Sequence, residues 1–347
     1  MKKSKVKILF FSDTHLGFDY PLRNINERVS RGEDFFRNFQ YILEFAVNQK
    51  VNCLIHGGDL FYRSKIPPVI VNRVYKRLIE FSKYRIPLFI VPGNHERSNL
   101  PPSIFFENPY LNIFSSLKTF HIHLNENLNT PDIALTGFPY QKNIRSNFSN
   151  LMMEMKSSLL KSQLNLLCMH HIVEGATIGP KNYTFRKGKE VIKINDLPRN
   201  FQAILCGHIH RRQVLWKKNS PENIPVIFSG STERTSFAEK NEPKGFYLIE
   251  FSKRVKWEFD SFNFKVLKTR PMEVIDINPS NVNLNNLNQL IIEKCKTFSP
   301  SSLVKIKITN PEMHKSINLR KIKSALPKSM IINIQYPYSL LRPHHQD

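Results

Sequence analysis

The chain has 347 residues, 41% hydrophobic and 23% charged, a balance that excludes collagen-like and disordered classes and, at roughly 150 residues per domain, predicts two domains. Lys and Arg number 51 against 28 Asp and Glu, a net charge of +23, which favours nucleic acid, anionic membrane or phosphorylated substrates as partners. Residues 271–347 hold ten basic and five acidic residues, so the excess is spread along the chain and is not a detachable tail.

The first predicted element is a buried strand over Val6–Ser12. Its flank, basic Met1–Lys7 and then Ile8–Phe11, mimics a signal peptide, but the apolar part is too short and Asp13 and His15 follow at once. Glu33–Lys50 carries Phe35, Phe36, Phe39, Ile42, Leu43 and Ala46 at helical spacing, with Glu33 and Asp34 in its first turn. A strand at Cys53–His56, a helix at Pro67–Tyr84 opened by two prolines, and a strand at Leu88–Val91 complete a β-α-β-α-β order that implies parallel strands. The next stretch is richer in strands: Thr119–Leu124, Ile133–Phe138, Asn165–Met169, Ala203–Cys206, Val226–Ser229, Phe246–Phe251 and Lys256–Phe262, with a helix at Arg145–Lys161. Two sheets packed face to face with helices outside would use these pieces. After a break near Lys268–Met272, strand Glu273–Ile277, helix Leu284–Lys296, strand Leu303–Ile308, helix Asn318–Leu326 and strand Met330–Tyr336 form a second, small β-α-β-α-β domain. The expected division is therefore 1–270 and 271–347. No apolar run reaches the ~20 residues of a membrane helix. Cys53, Cys168, Cys206 and Cys295 have no CxxC spacing, which reads as four small core residues in a reducing cytoplasmic setting.

Five short motifs follow predicted strands: Asp13-Thr14-His15, Gly57-Gly58-Asp59, Gly93-Asn94-His95-Glu96, His170, and Gly207-His208-Ile209-His210. Residues just past the carboxyl ends of α/β strands converge on one edge of the sheet, so five segments distant in sequence are expected to meet. Asp13 and His15 are two apart, as are His208 and His210, and in extended backbone such a pair points one way and can grip one ion. Asp59 can bridge with both carboxylate oxygens. Asn94 offers a carbonyl oxygen and His170 an imidazole. Seven oxygen and nitrogen ligands without a thiolate suit two divalent ions of the Mn, Fe, Co or Zn type better than Mg alone. Two such ions about 3.5–4 Å apart clamp phosphoryl oxygens and deprotonate a shared water. Each motif alone has a bland reading as a turn or a coincidence; their joint order at successive strand ends does not. His171 would alternate away from the cluster, and His56, His121 and His123 read as non-ligands.

D-x-H, G-D, G-N-H, a lone His and G-H-x-H in this order resemble the calcineurin-like metallophosphoesterases over about residues 6–250. The resemblance implies an α/β fold in which a two-sheet sandwich is flanked by helices around a dinuclear centre. It implies Asp13, His15 and His210 on the first metal, Asn94, His170 and His208 on the second, and Asp59 between them, with Mn2+ the expected metal. It also implies that His95 is catalytic: it contacts the scissile phosphate and assists the leaving oxygen. A narrower resemblance is to the SbcD-type DNA repair exonucleases, partnered by an SMC-like ATPase. It is carried by Ser12–Gly17, Gly58-Asp59-Leu60-Phe61 and Gly230–Phe237, and it implies that the C-terminal unit is a capping domain that touches DNA. Glu96 stands where that group usually has Asp, and Tyr62 where an acidic residue often follows. The chain shows no G-x-x-x-x-G-K-[ST], so ATP hydrolysis would belong to the partner. The helix pair by which the group docks on its ATPase is not evident after the cap, which bears on both that docking and a homodimer.

The expected function is a metal-dependent DNA nuclease in which a metal-bridging hydroxide attacks phosphorus and His95 assists departure. The alternative is a metallophosphoesterase acting on a small nucleotide, a cyclic phosphodiester or a phosphoprotein. Arg97 and Ser98 just after His95, and Arg211 and Arg212 just after His210, are candidate substrate contacts. Lys217, Lys218 and the loop Lys181–Lys193, with Tyr183 and Phe185 interleaved among its cations, suit a polyanion.

Overall fold

A computed structural model of the protein describes residues 4–19, 31–104, 108–124, 132–155, 163–217, 223–253, 255–277, 284–308, 310 and 313–335. The chain divides into two compact units, Met1–Tyr20 with Gly32–Lys268, and Pro21–Arg31 with Thr269–Asp347.

The first unit starts with β1 (Ser4–Phe11), α1 (Gly32–Gln49), β2 (Cys53–His56), α2 (Pro68–Ser82), β3 (Leu88–Ile90) and β4 (Leu111–Ile113). It continues with β5 (Lys118–Ile122), β6 (Ile133–Gly137), α3 (Ile144–Met155), β7 (Leu164–Met169), the short strands β8 (Ile172–Val173), β9 (Thr177–Ile178), β10 (Tyr183–Thr184) and β11 (Val191–Ile192), then β12 (Ala203–Cys206), β13 (Gln213–Lys217), β14 (Ile224–Phe228), β15 (Gly245–Lys253) and β16 (Trp257–Val266). Two six-stranded mixed sheets result, in the orders β16-β15-β1-β2-β3-β4 and β13-β14-β12-β7-β6-β5. The central strands of each are parallel, and antiparallel strands close the edges at β15, β16, β13 and β5.

β1 shows why these residues make this sandwich. Val6, Ile8 and Phe10 join Ile55, Phe89, Leu135, Leu166 and Leu205 in one core cluster drawn from both sheets. Phe11 meets Phe39 of α1 at 6.3 Å. Buried on both faces, the strand reads as an almost unbroken apolar run. α3 packs with Leu167, Ile204 and Val226 in another cluster, through Ile144, Phe148 and Leu151.

Several elements differ from the sequence reading. α3 is described to Met155, and residues 156–161 of the expected helix lie outside the described residues. β4 and the two-residue strands β8 to β11 were not expected, because such short runs show no periodicity. β13 was also missed, since its start follows Arg211 and Arg212, which read as substrate contacts. All four cysteines are buried and unpaired.

The second unit contains β17 (Met272–Ile277), α4 (Leu287–Lys296), β18 (Leu303–Ile308), α5 (Met313–Ser316), α6 (Leu319–Ser324) and β19 (Ile331–Gln335). Its three strands are parallel in sequential order. Ile275, Val304, Ile306 and Ile332 pack with Ile291 and Ile322 of the helices in a core of its own. The expected helix from Leu284 begins as a single 3₁₀ turn before α4. Tyr336 and the Asn-rich residues 278–283 lie outside the described residues. Among the described residues, no helix is long and apolar enough to cross a membrane.

Candidate metal centre

The five motifs sit in the loops that leave β1, β2, β3, β7 and β12, all at the carboxyl ends of parallel strands. Backbone hydrogen bonds carry the ladder beyond the strands: Asp13 N–H donates to Gly58 O (2.9 Å), His15 N–H to Asp59 O (3.0 Å), and Gly207 N–H to Met169 O (3.0 Å). Side chains lock the loops together further. His208 N–H points at both Asp13 carboxylate oxygens (3.2 Å each), and His95 N–H donates to Asp59 Oδ1 (3.0 Å).

The loops are not extended. Asp13 (φ 52°), His15 (46°), Asp59 (55°) and His208 (79°) are left-handed, a conformation that costs a non-glycine residue about 1–3 kcal/mol where the structure enforces it. The alternation argument from extended backbone therefore does not explain how Asp13 and His15 come together; the turns do.

The side chains form two adjoining groups. In the first, His15 Nε2 and His210 Nε2 are 2.9 Å apart, with Asp13 Oδ1 3.9 Å from His210 Nε2. In the second, Asn94 Oδ1 lies 3.0 Å from His170 Nε2 and 2.8 Å from His208 Nδ1. His208 and His210 thus fall into different groups and do not grip together. Asp59 Oδ2 lies between the groups, 3.3 Å from His170 Nε2 and 4.0 Å from His15 Nε2. Since Oδ1 is engaged by the His95 amide, one oxygen and not two faces both groups.

These residues fit divalent ions. Asp13, His15, Asp59 and His170 are essentially buried, and among the described residues no Lys or Arg forms an ion pair with either carboxylate. Buried carboxylates need a counter-charge, and the nitrogen and oxygen atoms aimed at one another here have the chemistry of a ligand set that could supply it as bound cations. Asp13, His15 and His210, and likewise Asp13, Asp59 and His170, bring one donor atom each within 4.8 Å of one another. Burial pushes Asp13 up from the usual carboxylate range, while His170 and His15 hold Asp59 well below it despite burial. Against the opposing effect of burial, Asp59 raises His170 to about 9. Burial and His170 lower His208 to about 3.

His95 stands at the mouth, about one-third exposed. Its Nδ1 lies 2.5 Å from Tyr62 O, and its Nε2 is 3.8 Å from Asp59 Oδ2. The four expected substrate contacts fare differently. Arg97 is exposed, with a left-handed backbone (φ 51°) and, among the described residues, no side-chain partner. Ser98 spends its hydroxyl on Tyr140 O. Arg211 donates to Glu242 Oε1 (2.9 Å), Asn182 Oδ1 (2.7 Å) and Gly179 O (2.6 Å), so its fork ties down a turn and is not free for phosphate. Arg212 lies over the Phe264 ring at 4.6 Å. Lys217 is buried, with Nζ donating to Asn195 O (3.2 Å) and Leu197 O, and Lys218 lies outside the described residues.

Of the histidines set aside as non-ligands, His121 and His123 are exposed, while His56 and His171 have ordinary partners. His56 hydrogen-bonds Thr14 Oγ1 (3.0 Å) and accepts Gly58 N–H. His171 stacks between Phe138 and Tyr140 at 5.5 and 5.1 Å.

The comparisons with known proteins agree with this geometry. The calcineurin-like phosphoesterase family matches residues 6–212, well over half of the chain. The chain belongs to that family. It is accordingly a metal-dependent phosphoester hydrolase. Similar curated proteins include the DNA double-strand break repair protein Mre11 of Saccharolobus solfataricus, 26% identical over 91% of this chain and 78% of that protein. The Mre11 of Methanocaldococcus jannaschii is 27% identical over 94% and 82%. That of Methanosarcina acetivorans is 29% identical over 72% of this chain but 37% of its own length.

Sequence reasoning missed several residues that shape this phosphoesterase site. Glu96 is buried and accepts Phe61 N–H (2.6 Å) and Gly93 N–H (2.8 Å), which clamps the loops of Asp59 and Asn94 together. Burial and the Asp59 charge push its carboxyl up to about 8. Tyr140 stacks on His208 at 6.0 Å and donates to Glu190 (3.1 Å). Glu239 and Lys244 back His210. Only Glu96, beside the G-N-H motif, carried a signal in the sequence.

Proposed function

We propose that this phosphoesterase is a DNA-cleaving phosphodiesterase of the repair-nuclease type. Asp13, His15 and His210 would hold one divalent ion, Asn94, His170 and His208 a second, and Asp59 Oδ2 faces both. The observation that carries this reading is the convergence of seven oxygen and nitrogen donors from five strand-end loops, with His95 at the mouth. The nitrogen-rich, thiolate-free set favours Mn2+ over Mg2+. When bound, such ions neutralise phosphoryl oxygens and activate water near neutral pH.

The chain's own residues do the rest. The Nδ1–H of His95 donates to Tyr62 O, which leaves Nε2 turned to the mouth. In its protonated form the ring would deliver the Nε2 proton to the departing deoxyribose oxygen. The amide of His95 donates to Asp59, so the acid and the ion-binding carboxylate are held as one piece.

DNA as substrate is supported by the net charge of +23, by the names of the similar proteins, and by exposed cations. Lys181, Arg186, Lys187 and Lys189 are exposed, without ion-pair partners among the described residues, around Tyr183, itself 60% exposed. Phosphate contacts of this kind give affinity without base reading, and an exposed ring can stack on an unpaired base. The second unit would act as a DNA-contacting cap, and ATP-driven steps would fall to an SMC-like ATPase partner.

The test pairs the protein with His95→Ala on end-labelled duplex DNA, single-stranded DNA and bis(p-nitrophenyl) phosphate, with Mn2+, Mg2+, Zn2+ or chelator. The expected result is Mn2+-dependent loss of label that falls about 10²–10⁴-fold in the variant, while two Mn2+ ions still bind. Hydrolysis of the small diester with DNA untouched would move the substrate to the nucleotide class. Full activity of His95→Ala would remove His95 from the mechanism.

A further inference from the structure

The two groups of imidazoles are not supported alike. His170 turns Nδ1 to a backbone carbonyl, Gly57 O, at 2.8 Å. His15 Nδ1 is buried with no hydrogen-bond partner. His208 presents Nδ1 itself to Asn94. His210 alone among these rings is backed by a carboxylate: its Nδ1 is 3.2 Å from Glu239 Oε1. That oxygen also accepts the Thr235 hydroxyl at 2.7 Å, and Thr235 Oγ1 stands 3.3 Å from the same Nδ1.

Behind Glu239 lies Lys244, whose side chain is fully buried. Its Nζ contacts Glu239 Oε2 at 2.6 Å and Glu242 Oε2 at 3.2 Å, and donates to the backbone oxygen of His210 itself at 2.9 Å. Arg234 donates to the backbone oxygens of Glu239 and Glu242 at 3.2 Å each. A buried lysine is costly to keep, and this one grips the ring's supporting carboxylate and the ring's own main chain together. An ionised carboxylate only accepts. The proton on His210 must therefore sit on Nδ1, which leaves the Nε2 lone pair facing His15 and Asp13.

We propose that Glu239, braced by Lys244, is the positioning residue that sets the tautomer and orientation of His210 and thereby the ion affinity of the Asp13–His15–His210 group. The inference rests on the dinuclear reading above, but not on DNA as the substrate. Carboxylates behind a ligating imidazole raise its basicity, and their loss weakens metal affinity about 10–100-fold. The effect is confined to one of the two ions because His170 and His208 have other supports.

The experiment is calorimetric and electron-paramagnetic-resonance titration of the chelator-treated full chain with Mn2+, for the parent protein, Glu239→Ala and the near-isosteric Glu239→Gln. The expected result is two ions in the parent and, in Glu239→Ala, one of them weakened about 10–100-fold with the other unchanged. In Glu239→Gln the loss is smaller, because the amide oxygen still accepts from Nδ1. In the metal-free parent, ¹⁵N-histidine spectra should show the His210 ring with its proton held on Nδ1, and that signal alone, not those of His95 and His170, which donate to carbonyls, should become mixed in Glu239→Gln. Equal weakening of both ions, or unchanged affinities in both variants, would overturn the proposal. A parent that binds fewer than two ions would overturn it together with the dinuclear reading, whereas two bound ions without DNA cleavage would count against the nuclease reading alone.

Discussion

Gly207→Ala probes how tightly the loops must approach. Gly207 has no left-handed backbone, so alanine brings no conformational strain of that kind. Its Cβ, however, would sit 2.1 Å from Gly57 O and 2.7 Å from His170 Nδ1, where carbon contacts under 3.0 Å essentially never occur. The turns after β2 and β12 must part by about 1 Å to admit it. Gly57 O cannot retreat alone, since it is the acceptor that orients His170. Overpacking of this kind costs about 1–3 kcal/mol, a fall of roughly 2–10 °C in melting temperature for a unit of this size. A 1 Å misplacement of a reacting group costs on the order of 100-fold in rate. The assay is kcat/KM on bis(p-nitrophenyl) phosphate with saturating Mn2+, alongside thermal unfolding. Gly179→Ala is the control: nothing lies within 4 Å of its Cβ, and its penalty is the backbone strain of φ +69° alone, so activity should be retained. Gly207→Ala with activity within twofold of the parent and an unchanged melting temperature would refute the reasoning.

Further expectations follow from the same geometry. His170 is raised to about 9 in the metal-free protein, so below that pH a proton competes with the ion; Mn2+ affinity should climb up to about tenfold per pH unit between pH 6 and 8 and level off above about 9, with proton release seen as a buffer-dependent binding enthalpy, and a flat profile would contradict it. The sign is that of a raised imidazole: its protonated form stabilises the metal-free fold at low pH, and that contribution disappears as pH rises through about 9. Lys187→Ala should weaken DNA binding irrespective of sequence and reduce the slope of log affinity against log salt by about 1; Arg211→Ala should instead lower thermal stability, because its guanidinium holds the Gly179–Asn182 turn. A chain ending at Arg270 should keep hydrolysis of the small diester and handle duplex DNA poorly, and equal DNA cleavage with and without residues 271–347 would remove the cap from the reaction.

Much of this protein was legible in one dimension because its information is local. Val6–Phe11, Cys53–Ile55 and Ala203–Cys206 are apolar runs because their strands are buried on both faces, and each ends at a polar motif because the chain must leave the sheet there. That is enough to place each motif at the carboxyl end of a strand and to name the donor atoms, although the strands prove to belong to two mixed sheets, β1, β2 and β3 to one and β7 and β12 to the other, and not to one edge of a single sheet. Tertiary structure alone decided how those atoms are shared. Asp59 offers Oδ2 to both groups because the His95 amide takes Oδ1. His208 and His210 part company because the turn between them is left-handed at His208. Arg211 and Arg212 look like phosphate contacts in sequence, yet Glu242, the Gly179–Asn182 turn and Phe264 claim them in space. Glu239 carries no motif and lies 29 residues past His210, so only folding reveals the carboxylate behind that ring. A hydrogen bond between distant residues leaves no period in the sequence, whereas a buried strand and the turn that ends it do.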